Sequence, residues 1–298
     1  MDLATARNIE APNKTAVAND PSQTRVAIGK LLVEAGCIRR EDLERIDTVR
    51  REKCIRFGEA AVLMGLAKEE DVLRALSRQF AFDWVSPSET KLSKELCVLF
   101  DPFGREAEAL RTIRGQLLLR WFDSGQKQLA ICSPHRQSGC SHVAANLAVL
   151  FAQLGGRTLL IDANFRQPRL DELFSLAPRG GLADVLAGRA KVDVFQRVSQ
   201  VANLWVVPAG PIPPNPQELL ARQLFYKVLQ YYQRHFDLIL IDTPAYDMGA
   251  DLELVASRVG GALVVARNNH TKLKVVRNLQ ADLMRSGVTL CGGVLNEY

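Results

Sequence analysis

From Gln128 onward, short apolar runs alternate with helical stretches: QLAICS, RTLLID, LWVVPA, FDLILID, GALVVA and CGGVLN. Continuous apolar runs of this length, separated by amphipathic segments, predict an α/β fold with a mostly parallel sheet flanked by helices. Upstream the period changes. IGKLLVEAGCIRREDL nearly repeats as FGEAAVLMGLAKEEDV: Gly29 pairs with Gly58, Gly36 with Gly65 and Leu43 with Val72, at a constant offset of 29. Each copy predicts a short amphipathic helix that stops near a glycine, followed by an acidic start to a second helix. The pattern therefore divides the chain into a disordered arm (1–23), a small all-α repeat domain (24–85), a linker (86–105) and an α/β domain (106–298).

Composition narrows the classes. The chain has 298 residues, 47% hydrophobic and 24% charged, enough for a full core and a second small domain. The net charge of +5 is spread without a dense basic block, so no nucleic-acid partner is expected. Six cysteines lack both CxxC metal spacing and the density of a disulfide scaffold. No apolar stretch approaches a membrane span and the start is too polar for a signal peptide, so a cytoplasmic protein is expected.

The candidate chemistry sits where apolar runs end, since ligands of such sheets lie beyond the carboxyl ends of strands. The first run leads into SPHRQSGCSHVAANLAVLFAQLG, the place and the strand–turn–helix order of a phosphate-binding loop. Such a loop reads GxxxxGK[ST], with backbone N–H groups and Lys on the phosphates and a hydroxyl on Mg²⁺. Gly139 and Ser141 are in register, but Pro134 replaces the first Gly and Cys140 the Lys. Arg136 is a candidate substitute charge, and His142 and Asn296 complete the expected nucleotide contacts. Asp242 closes FDLILID, the usual position of a carboxylate that orders Mg²⁺. Before the loop, Glu108, Arg111 and Arg114 are spaced by three and share one helix face.

Together RTLLIDANFRQPRL, FDLILIDTPA, GLADVLAG (181–188), PAGPIPPNPQELL (208–220) and the Glu-x-x-Arg-x-x-Arg helix resemble the bacterial protein-tyrosine kinases of the exopolysaccharide chain-length-determinant type, over nearly all of residues 106–298. The resemblance implies a P-loop NTPase-like fold, ATP or ADP with Mg²⁺, catalytic roles for Asp162, Arg166 and Asp242, and metal ligation by Ser141, Asp162 and Asp242. It also implies self-assembly into a ring through Glu108, Arg111 and Arg114, and a membrane chain-length-determinant or co-polymerase partner supplied in trans. Tyr298 is the expected phosphoacceptor. Two departures weaken phosphoryl transfer: Cys140 in place of Lys, and Asn164 where the family has a second Asp. Three readings therefore remain open: a weakened tyrosine kinase, a pseudokinase scaffold, and a partitioning-type ATPase, which wants a Lys where His135 stands. The repeat domain resembles the N-terminal domain of type II secretion and type IV pilus ATPases, which implies cyclic di-GMP. Arg56, Phe57, Gly58, Gly65 and Gln79 match in the second copy; the first keeps Gly29 and Gly36 but has Ala27 and Arg50 in the Arg and Gln positions.

Overall fold

The computed structural model describes residues 28–80 and 82–297. The expected N-terminal arm and Tyr298 lie outside the described residues. The chain forms two compact units, whose described residues run to Ser88 and from Glu89.

The small unit holds α1 (Ile28–Glu34), α2 (Asp42–Lys53), α3 (Phe57–Leu63) and α4 (Glu69–Phe80). The two copies of the repeat share one core, formed by Leu32, Ile38, Ile46, Ala60, Ala61 and Ala75. The repeated glycines have two distinct physical roles. A Cβ on Gly29 would come within 2.8 Å of the Leu43 side chain, and one on Gly58 within 2.5 Å of Val72, so both mark close contacts between the helices of one copy. Gly36 and Gly65, at φ +70 and +66, end α1 and α3 in the left-handed region that an L side chain avoids.

In the larger unit, the stretch expected to be linker carries α5 (Cys97–Phe100), whose Val98 and Leu99 are buried, followed by α6 (Arg105–Arg120). Next come β1 (Gln128–Cys132), α7 (Cys140–Ala152), β2 (Thr158–Asp162), α8 (Leu170–Leu173), α9 (Leu182–Leu186), β3 (Gln196–Arg197) and β4 (Leu204–Val207). The chain continues through α10 (Pro216–Ala221), α11 (Gln223–His235), β5 (Leu238–Asp242), α12 (Asp251–Val259), β6 (Gly261–Arg267), α13 (Leu273–Arg285) and β7 (Thr289–Asn296). All six apolar runs become strands. The seven-stranded sheet has the order β3-β4-β2-β5-β1-β6-β7 and is parallel except where β3 meets β4. β3 is polar and two residues long, with no apolar period to announce it.

Strands β1, β2 and β5 are buried at every residue, as expected for a parallel sheet covered on both faces. α7 is buried continuously from Val143 to Ala152, because its sequence is apolar on every side. Behind the sheet ends, GLADVLAG meets PAGPIPP backbone to backbone: Leu182 N donates to Pro208 O at 2.9 Å and Ala183 N to Ala209 O at 2.9 Å. A Cβ on Gly181 would lie 2.2 Å from Gly210 N and 2.4 Å from Pro208 O, atoms that cannot swing aside. Gly181→Ala is therefore expected to lower unfolding free energy by about 2–3 kcal/mol, read from the denaturant midpoint at unchanged m-value.

Candidate functional site

β1 delivers the chain to the carboxyl edge of the sheet, and the loop Ser133–Gly139 turns it into α7. Two left-handed residues make the turn, Gln137 at φ 57 and Gly139 at φ 89. Ser138 Oγ closes it on His135 O at 2.8 Å. The segment after β5 is stitched to the same loop, Tyr246 N donating to Ser133 O at 2.9 Å. The first N–H groups of α7 have no acceptor within their own helix, and Gly139, Cys140, Ser141 and His142 line a cleft of about 690 Å³.

At the lysine position, the Cys140 side chain turns inward. Its Sγ lies 3.1 Å from Ile131 O, where the thiol donates to a strand carbonyl, and the residue is only 8% exposed. Burial first, and the Asp242 carboxylate second, push the thiol well above its ordinary pKa, so it is neither a thiolate nor a cation. This position supplies no charge to the cleft.

The register of β2 on β5 sets Asp162 directly beside Asp242, and both are fully buried. Their surroundings differ. Asp162 accepts backbone N–H groups from Asn164 (3.0 Å), Arg169 (3.1 Å) and Leu170 (3.2 Å), so both its oxygens organise the loop that leads into α8. Asp242 Oδ2 accepts the Ser141 hydroxyl at 2.5 Å, while its Oδ1 has no partner. Desolvation and the Asp242 charge raise Asp162 well above the carboxylate range; desolvation raises Asp242 to about 6, opposed by the hydrogen bond of Ser141. A buried carboxylate oxygen without a donor, next to a hydroxyl and a second carboxylate, is a donor set suited to a hard divalent cation.

The other expected contacts are spread differently. Arg166 lies in a bidentate pair with the buried Asp251 at 2.7 and 3.1 Å, which ties the loop after β2 to the start of α12. Its neighbour Arg169 lines the cleft, and its charge acts on Asp242. Arg136 is exposed on the cleft wall. Asn296 donates through Nδ2 to Ser138 O at 3.2 Å, bracing the loop from the end of β7. His135 is held by Asp247 at 3.1 Å and stacks on His270, away from the role of a loop lysine. On α6, Glu108 pairs with Arg111 at 3.2 Å, whereas Arg114 is half-buried and donates to Leu150 O of α7 at 3.2 Å. In the small unit, Arg56 is exposed at the start of α3, and Gln79 is half-buried near the end of α4.

Lys94, Glu95, Cys97 and Glu106 also line the cleft. Lys94, Glu95 and Cys97 come from a stretch without periodicity or motif, and Glu106 from the first turn of α6 beside the Glu108–Arg111–Arg114 face, so the sequence pattern did not point to them.

No protein-family profile matches the chain. It is 33% identical over 194 residues to the putative tyrosine-protein kinase CapB of Staphylococcus aureus, covering 64% of this chain and 84% of that protein. It is 31% identical over 202 residues to the tyrosine-protein kinase wzc of Salmonella typhi, covering 68% of this chain but only 28% of that much longer protein. Among solved structures, the kinase domain of the Escherichia coli tyrosine kinase ETK superposes with a TM-score of 0.67 at 30% identity, covering 72% of this chain and 84% of that one.

The unpartnered carboxylate has a measurable consequence for the metal-free protein. A carboxyl near pKa 6 when folded and near 3.8 when unfolded binds its proton more tightly in the native state. Native stability is therefore expected to fall as pH rises from about 4 to about 6, and to stay lowered above that. Asp242→Asn removes this loss and is expected to stabilise the metal-free chain at neutral pH by on the order of 1–3 kcal/mol, with a flatter pH profile in denaturant melts.

Proposed function

The chain belongs to the bacterial tyrosine-protein kinase family, and from that premise we propose that it binds ATP or ADP with Mg²⁺ in this cleft while transferring phosphate poorly or not at all. The observation that carries the proposal is the contrast at the head of α7: one buried Asp242 oxygen lacks a hydrogen-bond donor, while Cys140 is turned into the core. Ser141 and Asp242 would hold Mg²⁺, with Asp162 beside them and the N-terminus of α7 facing the phosphates. The metal, when bound, neutralises charge on the phosphate oxygens. Arg136 and Arg169 lie where they can add to that charge, but neither stands at the lysine position. Loss of one such electrostatic donor costs about 10²–10³ in rate.

The protein would then act on the cytoplasmic side as a regulator of exopolysaccharide chain length, recruited by a membrane co-polymerase partner. Among the described residues no helix is long and apolar enough to cross a membrane. Self-assembly would use the Glu108–Arg111 pair of α6, exposed at Glu108 and half-buried at Arg111, with Arg114 fixing that helix on α7. Cyclic di-GMP is the ligand proposed for the small unit through Arg56 and Gln79; the glycines of that unit are already accounted for by helix packing and helix ends.

Equilibrium binding of labelled ATP is expected to be tight only with Mg²⁺ and to be lost in Asp242→Ala. Transfer of the γ-phosphate is expected to be absent or feeble in the native chain and to rise by at least about tenfold in Cys140→Lys. Robust transfer by the native chain would instead establish an active kinase. For the small unit, calorimetry of the full chain with cyclic di-GMP should give heat that Arg56→Ala abolishes; no heat in the native chain eliminates that ligand.

A further inference from the structure

At the mouth of the cleft, three elements each contribute one side chain with a different donor atom. Cys97 begins α5, Glu106 lies in the first turn of α6 and His142 in the first turn of α7. The Cys97 thiol, a Glu106 carboxylate oxygen and a His142 ring nitrogen all lie within 4.8 Å of one another. His142 Nε2 is 2.7 Å from Glu106 Oε1. A tetrahedral shell built from ordinary zinc–sulfur, zinc–nitrogen and zinc–oxygen bonds separates its ligand atoms by roughly 3–4 Å, so small rotations of the Glu106 and His142 side chains would complete one.

The supports behind these donors are built as well. Asn146, one turn beyond His142 and fully buried, donates through Nδ2 to His142 O at 2.9 Å and to Glu95 O at 2.9 Å. Its Oδ1 accepts Val98 N at 3.2 Å and lies 3.5 Å from the Cys97 sulfur. One buried amide therefore fixes the backbone on both sides of the cluster, the kind of outer support that orients metal ligands.

We propose that Cys97, Glu106 and His142 form a Zn²⁺ site with three protein ligands and water in the fourth position. The thiolate and imidazole select zinc over the hard cations that suit Asp242, and the three-ligand count leaves one position open to the cleft. On binding, the Cys97 thiol gives its proton to solvent and a Zn–S bond forms; the Nε2 proton that His142 shares with Glu106 passes through solvent to Nδ1, or leaves to solvent if the ring was charged, so that Nε2 and the Glu106 carboxylate each bind the metal in place of their hydrogen bond. The bound ion would clamp α5, α6 and α7 together and place a divalent charge in the cleft whose lysine position holds Cys140.

Cobalt titration of the full chain, without nucleotide, tests the site and is independent of ATP binding. The expected result is one equivalent of Co²⁺ with a thiolate charge-transfer band in the near ultraviolet, displaced stoichiometrically by Zn²⁺. Cys97→Ser should abolish the band. His142→Ala, at a half-buried side chain, should weaken Co²⁺ and Zn²⁺ binding by at least about tenfold and remove the Zn²⁺-induced rise in Tm; Asn146→Ser should weaken binding about 10–100-fold. Absence of the band in the native chain, or a band and affinity unchanged in His142→Ala, would overturn the proposal and leave a plain histidine–glutamate pair.

Discussion

Two carboxylates held side by side out of water impose the main constraint on this molecule. The pairing of β2 with β5 leaves Asp162 and Asp242 no choice but to be neighbours, since their strands end in register. Burying two like charges together is unfavourable unless protons, donors or a cation intervene. Asp162 meets the difficulty with three backbone N–H groups. Asp242 meets it only in part, with one oxygen on Ser141 and the other buried without a donor. The loop after β2, the start of α7 and the segment after β5 all bear on that pair.

Cys140 belongs to the same balance. A lysine there would bring a positive charge to the head of α7, close to the carboxylates; the cysteine instead adds a small side chain that donates to Ile131 O. The residue at this position serves packing. Positive charge in the cleft lies instead on its lining residues Lys94, Arg136 and Arg169, the last of them paired with Glu95 at 2.7 Å.

What could be read from the sequence divides along physical lines. Parallel strands buried on both faces leave continuous apolar runs, so six of the seven were visible; β3 pairs through its backbone at a polar edge and leaves no trace. Asp162 and Asp242 were legible because each ends such a run. Their adjacency was not, because register is a property of the sheet. Arg166 and Arg169 are equally charged and three residues apart, and only the fold assigns one to Asp251 and the other to the cleft. The stretch 86–105 looked like a connector because α5 is a single turn, too short to show a period. It nevertheless carries Cys97, whose partners Glu106 and His142 come from two later helices.

The duplicated helices of the small unit point to a different kind of dependence. Because both copies contribute to a single core, neither has a hydrophobic interior to call its own. A chain cut between Cys54 and Ile55 would yield two fragments with little reason to fold apart and every reason to find each other. Matching places in the two copies nevertheless hold different residues, Ala27 in the first and Arg56 in the second.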